Sequence, residues 1–121
     1  MNKGRKITGG KYHANRKRKK FEKTGKKLFA KLGKTKTKSI RAMSGKMKTF
    51  LLSTDVANLI VNGKSKQVKI KNVEQTPANK FLARQNILIK GAILDTDAGK
   101  ARITNRPGQE AQVQAVLIEV K

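Results

Sequence analysis

Apolar residues are spread unevenly along this chain: thirty lie among the seventy-one residues after position 50 and fourteen among the first fifty. A hydrophobic core therefore belongs to the C-terminal part. Short runs with period-two or continuous apolar character predict strands at 47–53, Asp55 to Val61, Gln67 to Val73, Ile87 to Asp95, Lys100 to Thr104 and Gln112 to Val120. In the fifth run Ala101 and Ile103 alternate with Lys100, Arg102 and Thr104, so one face is apolar and the other basic. Three turn signals separate the runs. Asn62-Gly63 suits the positive φ angles of a two-residue hairpin, Asp97-Ala98-Gly99 marks a second reversal, and Arg106-Pro107-Gly108-Gln109 predicts a type II turn. Thr76-Pro77 reads as an N-cap followed by proline at the first helical position, predicting a short helix over Ala78 to Gln85.

Upstream the pattern changes. Lys26-Lys27-Leu28-Phe29-Ala30-Lys31-Leu32 places Leu28 and Leu32 at i and i+4 beside Phe29, which predicts a turn or two of helix with an apolar stripe against the domain or a neighbour. Lys34, Lys36 and Lys38 then alternate with Thr35, Thr37 and Ser39, an extended connector with no apolar face. Gly4, Gly9 and Gly10 interrupt the N-terminal stretch, and Arg16 to Lys20 are five consecutive cations with no acid among them. The fold class read from this is mainly β: a small twisted β-barrel of short antiparallel strands with one short helix, too small for two sheets, preceded by a long extended basic N-terminal arm. The division falls into residues 1–46 as arm and 47–121 as domain.

Charge sharpens the division. The first fifty residues carry nineteen Lys and Arg against Glu22 alone, net +18, and the remainder carries eleven against six, net +5, within a formal total of +23. Such a field opposes compaction unless a polyanion neutralises it, so the arm is expected to order on a phosphate-rich partner. Tyr12, Phe21 and Phe29 interleave with the cations and offer rings for stacking on unpaired bases or for packing against protein.

Catalytic and metal chemistry find little material. There is no cysteine and one histidine, His13, so neither a thiolate site nor an imidazole cage can form. Gly63-Lys64-Ser65 matches the end of a phosphate-binding loop, but Asn58 stands where its first glycine belongs and a strand-like run follows. Asp95 and Asp97 lack a third carboxylate or histidine nearby, and Asp97 before Ala98-Gly99 is a turn former. No enzyme activity, cofactor or metal is expected. No signal peptide and no stretch of about 18 uncharged apolar residues is present, which reads as a soluble intracellular protein.

Thr8-Gly9-Gly10 with the basic run, Asp55-Val56-Ala57-Asn58, Pro77-Ala78-Asn79, Asn86-Ile87 with Lys90-Gly91-Ala92, Gly99-Lys100-Ala101-Arg102, Arg106-Pro107-Gly108-Gln109 and Ala115-Val116-Leu117-Ile118-Glu119 occur in that order. In order and spacing these blocks resemble the archaeal and eukaryotic family of small-subunit ribosomal protein eight, the S-eight-e family, and the length resembles its archaeal members. Two departures stand out. Arg84-Gln85 replaces the usual pair of arginines, and Glu110-Ala111 replaces the usual Asp-Gly. The resemblance implies a structural constituent of the small ribosomal subunit, cytoplasmic and serving translation. Its implied partners are small-subunit rRNA and neighbouring small-subunit ribosomal proteins. A membrane, a small-molecule substrate and a homo-oligomer are not implied.

Phosphate contacts are expected from Lys3, Arg5, Lys6, Lys11, Arg16, Lys17, Arg18, Lys19, Lys20, Lys26, Lys27, Arg41, Lys46 and Lys48, with a hydroxyl from Thr8. Arg84, Lys90, Lys100, Arg102 and Arg106 would extend the contact onto the domain. Deleting residues 1–45 is expected to leave a folded β domain with weakened rRNA binding. Competing readings are a ribosome-assembly factor, a basic chromatin-like protein and a membrane-active cationic peptide.

Overall fold

The computed structural model describes residues 4–13, 15–19, 22, 28–61 and 63–118. Among these described residues nine strands and one α-helix follow in chain order: β1 Ala30–Leu32, β2 Lys36–Arg41, β3 Met47–Thr54, β4 Val56–Val61, β5 Lys64–Gln75, α1 Lys80–Arg84, β6 Ile87–Leu88, β7 Ile93–Thr96, β8 Gly99–Ile103 and β9 Gln114–Leu117. Strands β4, β5, β7, β8 and β9 form a closed barrel, beside a four-stranded sheet ordered β2-β3-β1-β6. The mainly β barrel with one short helix is as the apolar pattern predicts. The second sheet is not, and it exists because the segment expected to be helical and the basic connector each supply one of its strands, β1 and β2.

The barrel follows from alternation and from one break in it. Ala57 and Leu59 of β4 are buried while their neighbours are not, and on β8 Ala101 and Ile103 point inward with Lys100 and Arg102 exposed. On β5 the inward set, Val68, Ile70 and Val73, loses its period of two after Ile70. A register shift between Ile70 and Asn72 absorbs the extra residue and returns Val73 to the core, where it pairs with Leu94. The bulge also bends this long strand, so that its first half pairs with β4 and its second with β7. Four of the barrel's pairings are antiparallel; a parallel pairing of β4 with β9, Leu59 opposite Ala115, closes it. The predicted run Ile87 to Asp95 is two strands, because residues 89–92 turn with Gly91 at φ +82.

At Asp55 the chain bends from sheet into barrel. The Thr54 hydroxyl accepts from the Val56 N–H at 3.2 Å, and the Asp55 carbonyl accepts from the Ile70 N–H at 2.8 Å. Ala30, Leu51 and Leu88 from the sheet join Ile70, Val73, Leu94 and Ile103 from the barrel in one apolar cluster, with Leu59, Ala101 and Ala115 forming a second. Burying each Leu or Ile there contributes about 1.5–3 kcal/mol. Sheet and barrel therefore stabilise each other.

Three expectations are corrected. Residues 28–32 are not helical: β1 pairs parallel with β3 and antiparallel with β6, which buries Ala30 completely. The connector at Lys36–Arg41 has its partner within the chain, pairing along β3 from Ser53 to Met47, so a deletion through residue 45 would dismantle the sheet. The helix is capped by Asn79, whose side-chain oxygen accepts from the Phe81 N–H at 2.9 Å. Thr76 is instead buried, because the two residues after it turn before the helix starts.

Candidate nucleic-acid interface

Glycine and arginine shape the N-terminal segment. Gly9 adopts φ +79, a conformation that costs side-chain-bearing residues about 1–2 kcal/mol, and lets the chain reverse. The Gly9 N–H donates to the Lys6 carbonyl at 2.9 Å and the Lys6 N–H to the Gly10 carbonyl at 2.8 Å, while Arg5 and Lys11 form an antiparallel bridge. The Arg5 guanidinium donates to the Gly9 carbonyl at 3.0 Å, and Lys6 Nζ lies 5.8 Å from the Tyr12 ring centroid. Arg5, Lys6, Thr8 and Lys11 are thus gathered around one exposed turn.

The cationic run that follows is not wholly without an acid. Arg16 forms a two-pronged ion pair with Glu22, at 2.6 and 2.8 Å, and Glu22 also accepts from the Lys19 N–H at 3.0 Å. Arg16 holds the Glu22 carboxyl below its ordinary pKa, with the Lys19 N–H adding to the effect, and the same pairing raises Arg16. Lys17 and Arg18 are exposed. Lys3, Lys20, Lys26 and Lys27, with Phe21 and Asn62, lie outside the described residues.

A cluster of domain cations surrounds a groove of about 750 Å³ between the β2–β3 sheet face, residues 28–30, the 88–90 turn and the 106–109 loop. Register sets its sheet wall: Lys38 pairs with Phe50 and Ile40 with Lys48, so these four side chains share one face. Lys48 Nζ donates to Gln109 Oε1 at 3.2 Å and sits 5.6 Å from the Phe50 ring centroid. Lys90 and Arg106 stand on the opposite wall, and among the described residues no carboxylate lines the groove. Gly108 permits the closest approach on that side. A Cβ there would fall 2.6 Å from the Leu28 carbonyl oxygen. The turn is present, with the Gln109 N–H bonded to the Arg106 carbonyl at 2.9 Å, but Gly108 is not among the glycines with positive φ, so it is not of type II. Glycine stands here for space and not for handedness. Beyond it, Asn105 fastens the loop, donating to Glu110 at 2.8 Å and to the Gln112 carbonyl at 2.7 Å. It also accepts from the Gln114 N–H at 3.0 Å.

The remaining expected contacts are dispersed. Arg41 lies across from Met47, beside the tight turn that contains Lys46. Arg84 is 5.8 Å from the Phe81 ring centroid, at a second depression of about 680 Å³ also lined by Thr76, Lys80 and Asn86. Lys100 is ion-paired with Glu74 at 2.6 Å, and Arg102 is exposed on the same strand. Sequence reasoning missed Lys38 as a groove residue and the exposed Lys64, Lys66 and Lys69 of β5. The alternation of Lys36, Lys38 and Ile40 carried the signal for Lys38, but only the pairing with β3 says which side of the strand meets the groove.

Gly63-Lys64-Ser65 opens strand β5 with Gly63 at φ +75, so it is a hairpin corner. Asp97 is 3.4 Å from Lys71 in an exposed ion pair. Among the described residues no group of three or more His, Asp or Glu is placed to hold a metal, and no helix is long and apolar enough to cross a membrane.

Barrel, sheet and groove together define a small basic β-barrel protein whose described surface is strongly cationic. Comparison places it more closely. The model of the family described as Ribosomal protein S8e matches residues 1–118. The chain is 43% identical over 117 residues to the small ribosomal subunit protein eS8 of Methanocorpusculum labreanum, covering 95% of this chain and 94% of the relative. To the proteins of the same name from Haloarcula marismortui and Methanosarcina barkeri it is 40% identical over 115 residues and 41% over 117, with 95% and 94% coverage in each case. The chain belongs to the ribosomal protein S8e family, structural proteins of the small subunit of the cytoplasmic ribosome and not enzymes.

Proposed function

We propose that this protein is a structural constituent of the small ribosomal subunit that binds and stabilises small-subunit rRNA. Residues 1–46 act as the basic arm and 47–121 as the domain that fixes where the arm lies, with residues 30–41 joining the two through the sheet. The observation that carries the proposal is the charge split, net +18 before residue 51 against +5 after it, within a family of ribosomal proteins. A-form RNA offers phosphates, 2′-hydroxyls and shape to basic segments. Arg5, Lys6, Thr8 and Lys11 at the glycine turn, with Arg16 to Lys20, supply the arm's donors. Lys48, Lys90 and Arg106, with Arg84, Lys100 and Arg102, continue them onto the domain. Arginine is favoured where a planar fork meets a phosphate. Neighbouring small-subunit proteins complete the surroundings, and the protein enters as a single copy.

Binding of the full chain to transcribed small-subunit rRNA, followed across a salt series, tests this. Engagement of about eight phosphates gives a slope of log affinity against log salt of roughly −6 to −7. A nearly flat response, or equal affinity for duplex DNA in competition, refutes it.

A further inference from the structure

The groove between sheet and barrel has a composition that phosphate neutralisation alone does not explain. Apolar side chains line much of it: Phe29 is 45% exposed, Ile40 is 39% exposed, and Phe50 and Leu88 lie beside them. Its rim is cationic, with Lys38, Lys48, Lys90 and Arg106 and, among the described residues, no acid. A partner lying on its phosphates would meet the rim without using the rings. A purely apolar partner would leave four cations facing it without counter-charge. An unpaired nucleotide suits both features, since a base presents a π-face needing no hydrogen-bond partner while the phosphates on either side of it carry the complementary charge. The volume of about 750 Å³ lies within the range of roughly 300–1,000 Å³ typical of small-molecule-sized sites.

We infer that this groove receives one unstacked nucleotide of small-subunit rRNA, its base against Phe29 and Phe50 and its flanking phosphates on Lys38, Lys48, Lys90 and Arg106. The inference rests on the rRNA reading above and narrows it from a charged surface to a base-sized site. A peptide is the poorer occupant. Strand β2 forms the outer edge of the four-stranded sheet and carries Lys36 and Lys38, the residue type that discourages an added strand. Lys48 already rests near the face of Phe50, so a base entering there exchanges one cation contact for a stack, while the ammonium, which gives one N–H to Gln109, has two more for phosphate.

The experiment uses the full chain and transcribed small-subunit rRNA at fixed salt, with thermal melts verifying that each variant is folded. Phe29→Ala and Phe29→Leu should each lose about 5- to 150-fold in affinity, because the ring and not apolar area is what stacks, and Phe29→Tyr should stay within about twofold of the parent. Ultraviolet crosslinking of the parent complex should leave nucleotide adducts on peptides containing Phe29, Phe50 or Lys48. If the parent binds with a steep salt slope while Phe29→Ala binds equally well and no groove adduct forms, the inference falls and the broader rRNA reading survives. If the parent itself fails to bind rRNA, the broader reading falls and takes the groove with it. If Phe29→Leu matches the parent and crosslinks on intact small subunits join these residues to another protein, the groove is a protein seat and the inference is wrong.

Discussion

Replacing Gly108 by alanine tests how residues 28–30 are docked. The added Cβ would lie 2.6 Å from the Leu28 carbonyl oxygen, whereas ordinary contact begins at 3.4 Å. One backbone must therefore retreat by about 0.8 Å, and neither has a side-chain rotation with which to evade. The retreat would also disturb the adjacent bond from the Leu51 N–H to the Pro107 carbonyl, now 3.3 Å, and the fully buried Ala30. Overpacking of this kind costs about 1–3 kcal/mol. Against it stands the restriction of the unfolded chain by alanine, about 0.4–1 kcal/mol in favour of folding, which applies because Gly108 does not need a positive φ. The clash wins by about 1–2 kcal/mol, a fall in Tm of roughly 4–16 °C for a domain of this size. Differential scanning calorimetry reads it. Gly4→Ala, where nothing lies within 4 Å, should change stability by less than about 0.5 kcal/mol. An unchanged or raised Tm for Gly108→Ala would show that the entropic gain acts unopposed and that Leu28 is not seated against this loop.

Asn105→Ala should lower stability by about 2–4 kcal/mol in urea titrations, since it strands the Gln112 carbonyl and the Gln114 N–H and frees Glu110; a loss below about 1 kcal/mol would contradict the loop anchor. Removing residues 1–19 should leave the unfolding midpoint of the β core nearly unchanged. Removal through residue 45 takes away β1 and β2 and uncovers Leu51 and Leu88, a loss of about 3–6 kcal/mol; equal stability of the two truncations would refute the four-stranded sheet. Arg16 lowers the Glu22 pKa, so the Arg16–Glu22 turn should be fully formed above the ordinary carboxylate range and be lost as pH falls through that lowered value. Carboxyl-carbon NMR of Glu22 should show the low titration point, and Arg16→Gln should return it toward normal. Titration at or above the ordinary value in the parent would exclude the pairing.

What the sequence alone determined about this protein is what depends on local or additive properties. Net charge sums over residues whatever the fold, so the lopsided +18 was visible at once. Alternation at Ala101 and Ile103 specified an inward and an outward face, and Asn62-Gly63 and Asp97-Ala98-Gly99 marked hairpins, because side-chain period and positive φ are properties of a few neighbouring residues. Tertiary structure decided the rest. Leu28 and Leu32 have helical spacing, yet Ala30–Leu32 is a strand because β3 and β6, distant in sequence, offered it backbone partners on both sides, Lys31 opposite Ser53 and Ala30 opposite Leu88. That long-range pairing outweighs a one-turn preference. The Lys-Thr alternation at 36–39 carries no apolar face of its own, and its strand exists because β3 lies alongside. The groove is the furthest from the sequence. Phe29, Ile40, Phe50 and Lys90 come from four separate stretches, and their meeting required the sheet register and the absence of a Cβ at Gly108. No period in the chain encodes a surface that exists only after sheet and barrel have packed.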